Sequence, residues 1–406
     1  MLSCLAAAGQ KPLSAKKAYK PIRTALKAKK GADALATVNK LLADTAYNRD
    51  PRLYAYGVEA EMLICETFNE KLYLKQQIDT AQFFSAHYDL CQFVLRCDTA
   101  EQRLLQANSA DTLNSKGARA TVYRHQHRAI LLRSYPNLSA AARFHYAKRQ
   151  YKLARKYFNL RFNLPLHPAY GPDSTLVQQK GYFDDIYLDF RSMYELGEFG
   201  EMPQRADVLL SDSVLHNQVL DMLITAARGR SDTVAYYALV EQGLCEQPSR
   251  LDYFAILANR YSDNGDYEAA IALADTLLSR DPLNRYYLQC RALSLFKLGR
   301  LDESVIAAER LIAVDTTATE GYYILGYNSV DQAEKVVLPR QTRSPLYTSA
   351  KQRQTEFYTQ ARGYMERFRT LAPEEHERWA PLLYKIYLNL NLGKEFEEIQ
   401  LLLNSQ

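Results

Sequence analysis

Apolar and polar residues follow one another along most of this chain with the period of an α-helix. In GDYEAAIALADTLLSRDPLN, residues 265–284, apolar side chains recur three and four positions apart, as they do in a helix with one buried face. Similar segments follow one another along the chain, separated by short breaks that often contain Gly or Pro. No segment shows the two-residue alternation that is typical of a β-strand. The pattern predicts an all-α chain of helix–turn–helix pairs.

Two consecutive pairs are copies of each other. Residues 251–284 align without a gap with residues 285–318, so each copy is 34 residues long. Gly265 and Gly299 occupy the same position, where we expect a left-handed turn to end the first helix. Pro282 is expected to stop the second helix of the first copy. The other matching positions are Phe254 and Leu288, Tyr267 and Leu301, Ala270 and Ser304, Ala274 and Ala308, and Leu277 and Leu311.

These copies resemble the tetratricopeptide repeat (TPR) family in their period and in the order of bulky, small, Gly and Pro positions. The resemblance is clear over residues 251–318 and weaker elsewhere. It implies a right-handed superhelical array of antiparallel helix pairs, a TPR-like α-solenoid, because a hairpin with two apolar faces must stack on its neighbours. In this family the first helix of each repeat lines a groove that commonly binds peptides.

The resemblance also implies which residues face that groove. The matching positions with candidate binding side chains are Asn259, Tyr286, Gln289, Lys297, Tyr323 and Tyr327. Asn259 matches the asparagine of the family's carboxylate clamp, whereas Ala255 stands where the clamp needs a lysine. Recognition of a chaperone's C-terminal carboxylate is therefore not predicted. Each tyrosine either contacts a ligand or fills a contact between helices.

The rest of the chain divides into weaker repeats. We predict degenerate helical repeats over 10–162, an irregular linker over 163–180, and TPR-like repeats over 181–406. The linker follows from NLPLHPAYGPDSTL at 163–176, which contains three prolines. The last region includes an extended helical hairpin at 319–372, whose second helix should begin at Ser344-Pro345. In the first region, one pair is expected to turn around Gly31, and the stretch from Ala140 to Leu160 matches the second-helix pattern at Tyr151, Ala154 and Phe158.

The first residues, MLSCLAAAGQ, end an apolar run in small side chains. This is typical of the end of a secretory signal peptide, although the basic segment that normally precedes it is missing. Residues 1–9 are thus interpreted as a signal-peptide remnant, and the protein is expected in the periplasm or cell envelope. It is expected in the cytoplasm if this interpretation is wrong. Cys4 is also a candidate lipid-attachment site.

Composition and motifs argue against catalysis. Hydrophobic residues make up 47% of the 406 residues, which excludes global disorder, and the net charge of +5 is too small to indicate a partner. The phosphate-binding patterns GxGxxG and GxxxxGK[ST] are missing, and no two cysteines form a CxxC pair. His125 and His127 are two positions apart, so a helix would point them to different faces. We predict no enzyme activity, no metal and no cofactor.

A basic stretch near the N-terminus has two interpretations. Residues 11–30 contain eight Lys or Arg and no acidic residue. Arg23, Lys27 and Lys30 are expected on one helix face. This face is either the solvated surface of a capping helix or a contact for anionic lipid head groups or an acidic polymer.

The sequence favours a non-enzymatic TPR-like scaffold that binds a protein or peptide, located in the bacterial cell envelope. One alternative is a lipoprotein that binds a glycan or another small ligand, suggested by the tyrosines and Cys4. The other is binding of nucleic acid or an anionic polymer through the basic N-terminus. The acidic residues spread through the chain disfavour nucleic acid, and no apolar run is long enough to span a bilayer.

Overall fold

A computed structural model describes residues 14–111, 122–171 and 181–404, with the side chains of 107–111 excepted. Within these ranges the chain forms helices and turns and no strand, which confirms the all-α prediction. The chain divides into two compact units, Met1–Thr233 and Val234–Gln406. The helices that begin in the first unit are α1 Ala15–Ala18, α2 Lys20–Lys27, α3 Gly31–Leu42, α4 Pro51–Tyr73, α5 Thr80–Asp111, α6 Arg124–Ala147, α7 Tyr151–Asn163, α8 Tyr182–Leu196, α9 Pro203–Leu210, α10 His216–Gly229 and α11 Thr233–Glu246.

The helices of the second unit continue the same order. They are α12 Leu251–Asp263, α13 Tyr267–Leu278, α14 Arg285–Lys297, α15 Leu301–Val314, α16 Thr319–Glu334, α17 Pro345–Leu371, α18 His376–Asn389 and α19 Gly393–Asn404. From α12 onward each helix packs on the next one along the chain, and α16 also contacts both α14 and α18. In the first unit, α2 to α10 pack in the same sequential way. This one-dimensional order is that of a helical-repeat array.

One turn geometry recurs along the whole described chain. A residue with positive φ ends a helix, and the N–H of the following residue donates to the carbonyl oxygen five positions back. This is the Schellman arrangement, which satisfies carbonyls at a helix end. Such turns separate α2 from α3, α4 from α5, α6 from α7, α8 from α9, α10 from α11, α12 from α13, α14 from α15 and α18 from α19. The left-handed residues are Lys29, Lys75, Arg149, Gly197, Ser231, Gly265, Gly299 and Asn391.

Gly265 and Gly299 thus have the predicted left-handed conformation, with φ of 72° and 74°. The two copies also pack alike at their small positions. Ala270 is buried, and the hydroxyl of Ser304 donates to the carbonyl oxygen of Ala292 at 2.9 Å, so α15 lies close to α14 there. Small side chains at these positions allow the two helices of a pair to approach each other.

The segment predicted as an extended hairpin contains α16 and α17. The hydroxyl of Ser344 accepts the N–H of Tyr347 at 3.1 Å and caps α17, whose first residue is Pro345. With 27 residues, α17 is about 40 Å long. The helix before it ends at Glu334, so a connection of ten residues, 335–344, joins the two.

One local expectation in the first unit differs from the structure. The turn between α2 and α3 is made by Lys29, whereas Gly31 is already the first residue of α3. The second-helix pattern expected at Tyr151, Ala154 and Phe158 corresponds to α7, which follows α6 after a turn at Arg149. Of the predicted linker, 163–180, residues 172–180 fall outside the described part, so the linker stays a prediction.

Buried ion pairs join α6, α7, α8 and α9 within the first unit. Asp185 is fully buried and pairs with Arg143 and Arg161, each at 2.6 Å, and accepts the hydroxyl of Ser139. One turn further along α8, buried Asp189 pairs with Arg155 of α7 and with Arg205 of α9. Buried carboxylates are tolerated only with such partners, so these pairs hold the packing register of the four helices.

Candidate functional site

The predicted binding residues lie on the first helices of the second unit's pairs. We call Asn259 on α12, Tyr286, Gln289 and Lys297 on α14, and Tyr323 and Tyr327 on α16 the first-helix face. Asn259, Tyr286, Lys297 and Tyr327 are exposed, with 47% of Tyr286 and 38% of Tyr327 open to solvent. Gln289 and Tyr323 are half-buried. Large aromatic side chains with this exposure are available to a partner.

Tyr286 lies in the first turn of α14, which is fixed by a cap. The side-chain oxygen of Asn284 accepts the N–H of Tyr286 at 3.1 Å. The guanidinium of Arg285 lies 5.0 Å from the centre of the Tyr286 ring, within the range of a cation–π contact. Arg285 is itself paired with Asp315 at 2.5 Å. The exposed ring is therefore held on a rigid helix start.

Tyr323 and Tyr327 form an aromatic cluster with Phe296 and Phe368. The ring centre of Phe296 lies 5.8 Å from that of Tyr323 and 5.0 Å from that of Tyr327, both in edge-to-face geometry. Tyr323 also contacts Phe368 of α17 at 5.6 Å. Edge-to-face pairs of this kind stabilise their arrangement. Tyr323 thus fills a contact between helices, while Tyr327 carries the exposed edge of the cluster.

An arginine from α18 closes this cluster on one side. The guanidinium carbon of Arg378 lies 4.1 Å from the ring centre of Tyr323. Both carboxylate oxygens of Glu320 accept from Arg378, at 3.1 and 2.6 Å, and Glu375 accepts at 2.5 Å. Although burial lowers the pKa of Arg378, its hydrogen bonds with Glu320 and Glu375 raise it above the ordinary value. Arg378 is a fixed cation whose charge is offset by two carboxylates.

The structure does not bring all predicted residues together. Tyr323 and Tyr327 meet each other, with ring centres 6.3 Å apart, and both meet Phe296. None of the described contacts joins Asn259 or Lys297 to this cluster. Arg378 escaped the sequence analysis because its partner Glu320 is 58 residues away. Glu320 lies on the same helix as Tyr323, three positions before it.

The basic residues near the N-terminus do not share one helix. Arg23 and Lys27 are exposed on α2, and Arg23 donates to the carbonyl oxygen of Lys16 at 2.9 Å. Lys30 lies beyond the end of α2, because the chain turns at Lys29, so the expected three-residue stripe is wrong in this detail. The signal-peptide remnant at 1–9 and the candidate lipid site Cys4 fall outside the described residues.

The described residues contain no group of three His, Cys, Asp or Glu placed to hold a metal ion. His127 is buried and stacks on Tyr123, with ring centres 5.6 Å apart, while His125 is exposed. The two histidines therefore point to different environments. Of the helices in 14–111, 122–171 and 181–404, none combines the length and apolar composition needed to cross a bilayer.

Comparison with known proteins finds similarity in solved structures. No family model matches the chain, and no curated protein matches it. A TPR repeat-containing protein from Cytophaga hutchinsonii is 11% identical, with 64% of this chain and 92% of that one covered and a TM-score of 0.36. Yeast Tom70 is 13% identical, with 91% and 98% covered and a TM-score of 0.27.

The TPR2AB domain of yeast Sti1, solved as a complex with pHSP90, is 14% identical, with 63% of this chain and 98% of that one covered and a TM-score of 0.25. Within the described chain itself, one turn geometry recurs between helices and each helix packs on its neighbour in sequence. In each unit, the described residues form an all-α array of helices that pack in the order of the sequence.

Proposed function

We propose that this protein is a non-enzymatic scaffold that binds a protein or peptide segment on its first-helix face. The observation that carries the proposal is the aromatic cluster of Phe296, Tyr323 and Tyr327, which is rigid at its base and exposed at Tyr327. Anchored aromatic rings that present one edge to solvent are typical of the residues that dominate protein–protein binding energy.

The charges around the cluster favour a particular kind of peptide. Arg378 is already paired with Glu320 and Glu375, and these three groups together carry one net negative charge, so Arg378 offers no free positive charge to a partner. Lys297, in the last turn of α14, is exposed and has no described ion pair. A segment with an apolar or aromatic anchor for Tyr327 and an acidic group for Lys297 fits this arrangement best.

The place of action stays a prediction from the first ten residues. Export to the bacterial cell envelope is supported by the apolar run that ends at Ala6-Ala7-Ala8. Sequencing the mature N-terminus of the protein purified from its source would test it, since removal of these residues is expected.

Selection from a random peptide library on the full chain tests the binding proposal. We expect the selected peptides to bind the Tyr327→Ala variant about tenfold more weakly or worse, because truncation of an anchoring aromatic typically costs at least 1–2 kcal/mol. Tyr73→Ala removes an equally large exposed ring from the other unit and serves as the control, with unchanged affinity. Selection of no peptide, or equal losses in the two variants, would contradict the proposal.

A further inference from the structure

A cavity in the first unit is lined by arginines. It has a volume of about 680 Å³ and lies between the connection that follows α3, the start of α4 and one face of α5. Its lining includes Asn48, Arg49, Tyr54, Arg96, Thr99 and Arg103. We call it the arginine pocket. It is separate in sequence from the first-helix face and from the basic residues Arg23 and Lys27.

The helix period of α5 builds one wall of the arginine pocket. Arg96, Thr99 and Arg103 are three and four positions apart, so they lie on one face of the helix. Arg49 comes from the opposite side, on the connection between α3 and α4. That connection is held in place, since the hydroxyl of Tyr54 donates to the carbonyl oxygen of Asn48 at 2.7 Å. Three guanidinium groups from two elements therefore converge on one space.

The acids near the arginine pocket are engaged elsewhere. Asp98 and Glu101 lie on the other side of α5, where Asp98 pairs with Arg124 at 2.7 Å and Glu101 accepts the N–H of Val122. Asp50 pairs with Arg52 at 2.7 Å and caps α4. Within the described residues, the three pocket arginines take part in no ion pair.

This contrasts with the arginines on neighbouring helices of the same unit. Arg143, Arg155 and Arg161 all have carboxylate partners. The three positive charges of the arginine pocket face its open space without compensation, which makes it a site of positive potential.

The chemistry of the lining indicates what the arginine pocket would take. A guanidinium group presents paired donors that match the oxygens of a phosphoryl or carboxylate group. With a volume of about 680 Å³, the arginine pocket falls within the range of about 300–1,000 Å³ that is typical of small-molecule sites. It therefore has room for more than a single inorganic anion. We propose that the arginine pocket binds a small organic molecule carrying at least two phosphoryl or carboxylate groups. Tyr54 and Leu104 supply apolar surface for its carbon skeleton.

Calorimetric titration of the full chain at low salt with pyrophosphate and, separately, with citrate tests this proposal. We expect saturable binding of one ligand per chain, and the preferred ligand distinguishes phosphoryl from carboxylate chemistry. The Arg96→Gln/Arg103→Gln variant should bind about tenfold more weakly or worse, because it loses two charge-assisted contacts. The control variant Arg340→Gln/Arg343→Gln removes the same charge from exposed positions in the other unit and should bind within about twofold of the wild-type protein.

Two results would overturn the assignment. One is the lack of saturable binding of either anion by the wild-type chain at low salt. The other is equal weakening in the site variant and the control variant, which would show attraction by net charge alone. Far-UV circular dichroism checks that the variants are folded. If the double variant is not, Arg49→Gln replaces it, because Arg49 is exposed and lies outside the helices.

Discussion

A buried carboxyl group on α4 makes the stability of the first unit depend on pH. Glu61 is only 4% exposed. Burial, with a smaller contribution from the charge of Asp89, raises the pKa of Glu61 from 4.5 to about 8. Between these two values the folded protein keeps a proton that the unfolded chain has released. Because the native state then binds more protons, the free energy of unfolding falls as pH rises through this window.

The Glu61→Gln variant removes this dependence, since glutamine resembles the protonated acid and stays neutral. A pKa that rises from 4.5 to about 8 corresponds to about 4–5 kcal/mol, at about 1.4 kcal/mol for each pH unit. We expect the variant and the wild-type protein to be similarly stable near pH 4.5. As pH rises, the free energy of unfolding of the variant should exceed that of the wild-type protein by a growing amount. This difference should level off above pH 8 at up to about 4–5 kcal/mol.

Urea unfolding at a series of pH values, followed by far-UV circular dichroism, measures the difference. Hydrogen exchange of peptides from α4 and α5 localises it to the first unit. The control is Glu70→Gln, which removes an exposed carboxylate from the same helix and should follow the wild-type profile. Parallel profiles for Glu61→Gln and the wild-type protein would refute the reasoning, because they would show that burial does not keep the carboxyl protonated.

Two further predictions concern packing. Asp185→Ala leaves two guanidinium groups without their carboxylate and should lower the free energy of unfolding in urea by about 3–5 kcal/mol. The control Asp184→Ala removes the exposed neighbouring carboxylate and should lower it by less than about 1 kcal/mol. Equal losses in the two variants would contradict the role of the buried ion pairs. A Cβ at Gly326 would overlap the thioether of Met365, so Gly326→Ala should destabilise the second unit by about 1–3 kcal/mol. Gly363→Ala meets open space on α17 and should stabilise it by about 0.5–1 kcal/mol. Urea unfolding of the Gly326→Ala and Gly363→Ala variants, followed by the fluorescence of the single tryptophan, measures both changes in the free energy of unfolding. A loss of the same size in the two variants would contradict this reasoning.

Structural features that are determined by a few adjacent residues could be predicted from the sequence. The turns at Gly265 and Gly299 were predictable because glycine adopts positive φ without a steric cost. The start of α17 agrees with its Ser344-Pro345 signal, because a capping hydroxyl and a proline both favour a first turn. These features depend on a few adjacent residues, so no tertiary information is needed.

Features that depend on distant residues could not be found in this way. Periodicity placed Tyr323 on one face of a helix, but it could not show that Arg378 would cover the ring from α18. The arginine pocket joins Arg49 to Arg96 across 47 positions, and only the packing of α4 on α5 reveals it. Lys29 carries no local signature of a left-handed residue, so neighbouring Gly31 was chosen wrongly as the turn.

Lys29, Lys75, Arg149, Ser231 and Asn391 adopt a conformation that costs an L-amino acid about 1 kcal/mol or more relative to glycine. The helices nevertheless end at these residues, so the packing of the hairpins on each other must outweigh the cost of the left-handed conformation. A helical hairpin can therefore keep its turn geometry when the glycine that is typical of this turn is replaced by another residue. A search for recognisable sequence motifs therefore finds fewer helical hairpins than this chain contains. The backbone hydrogen bond to the carbonyl five positions back identifies the turn of a hairpin more reliably.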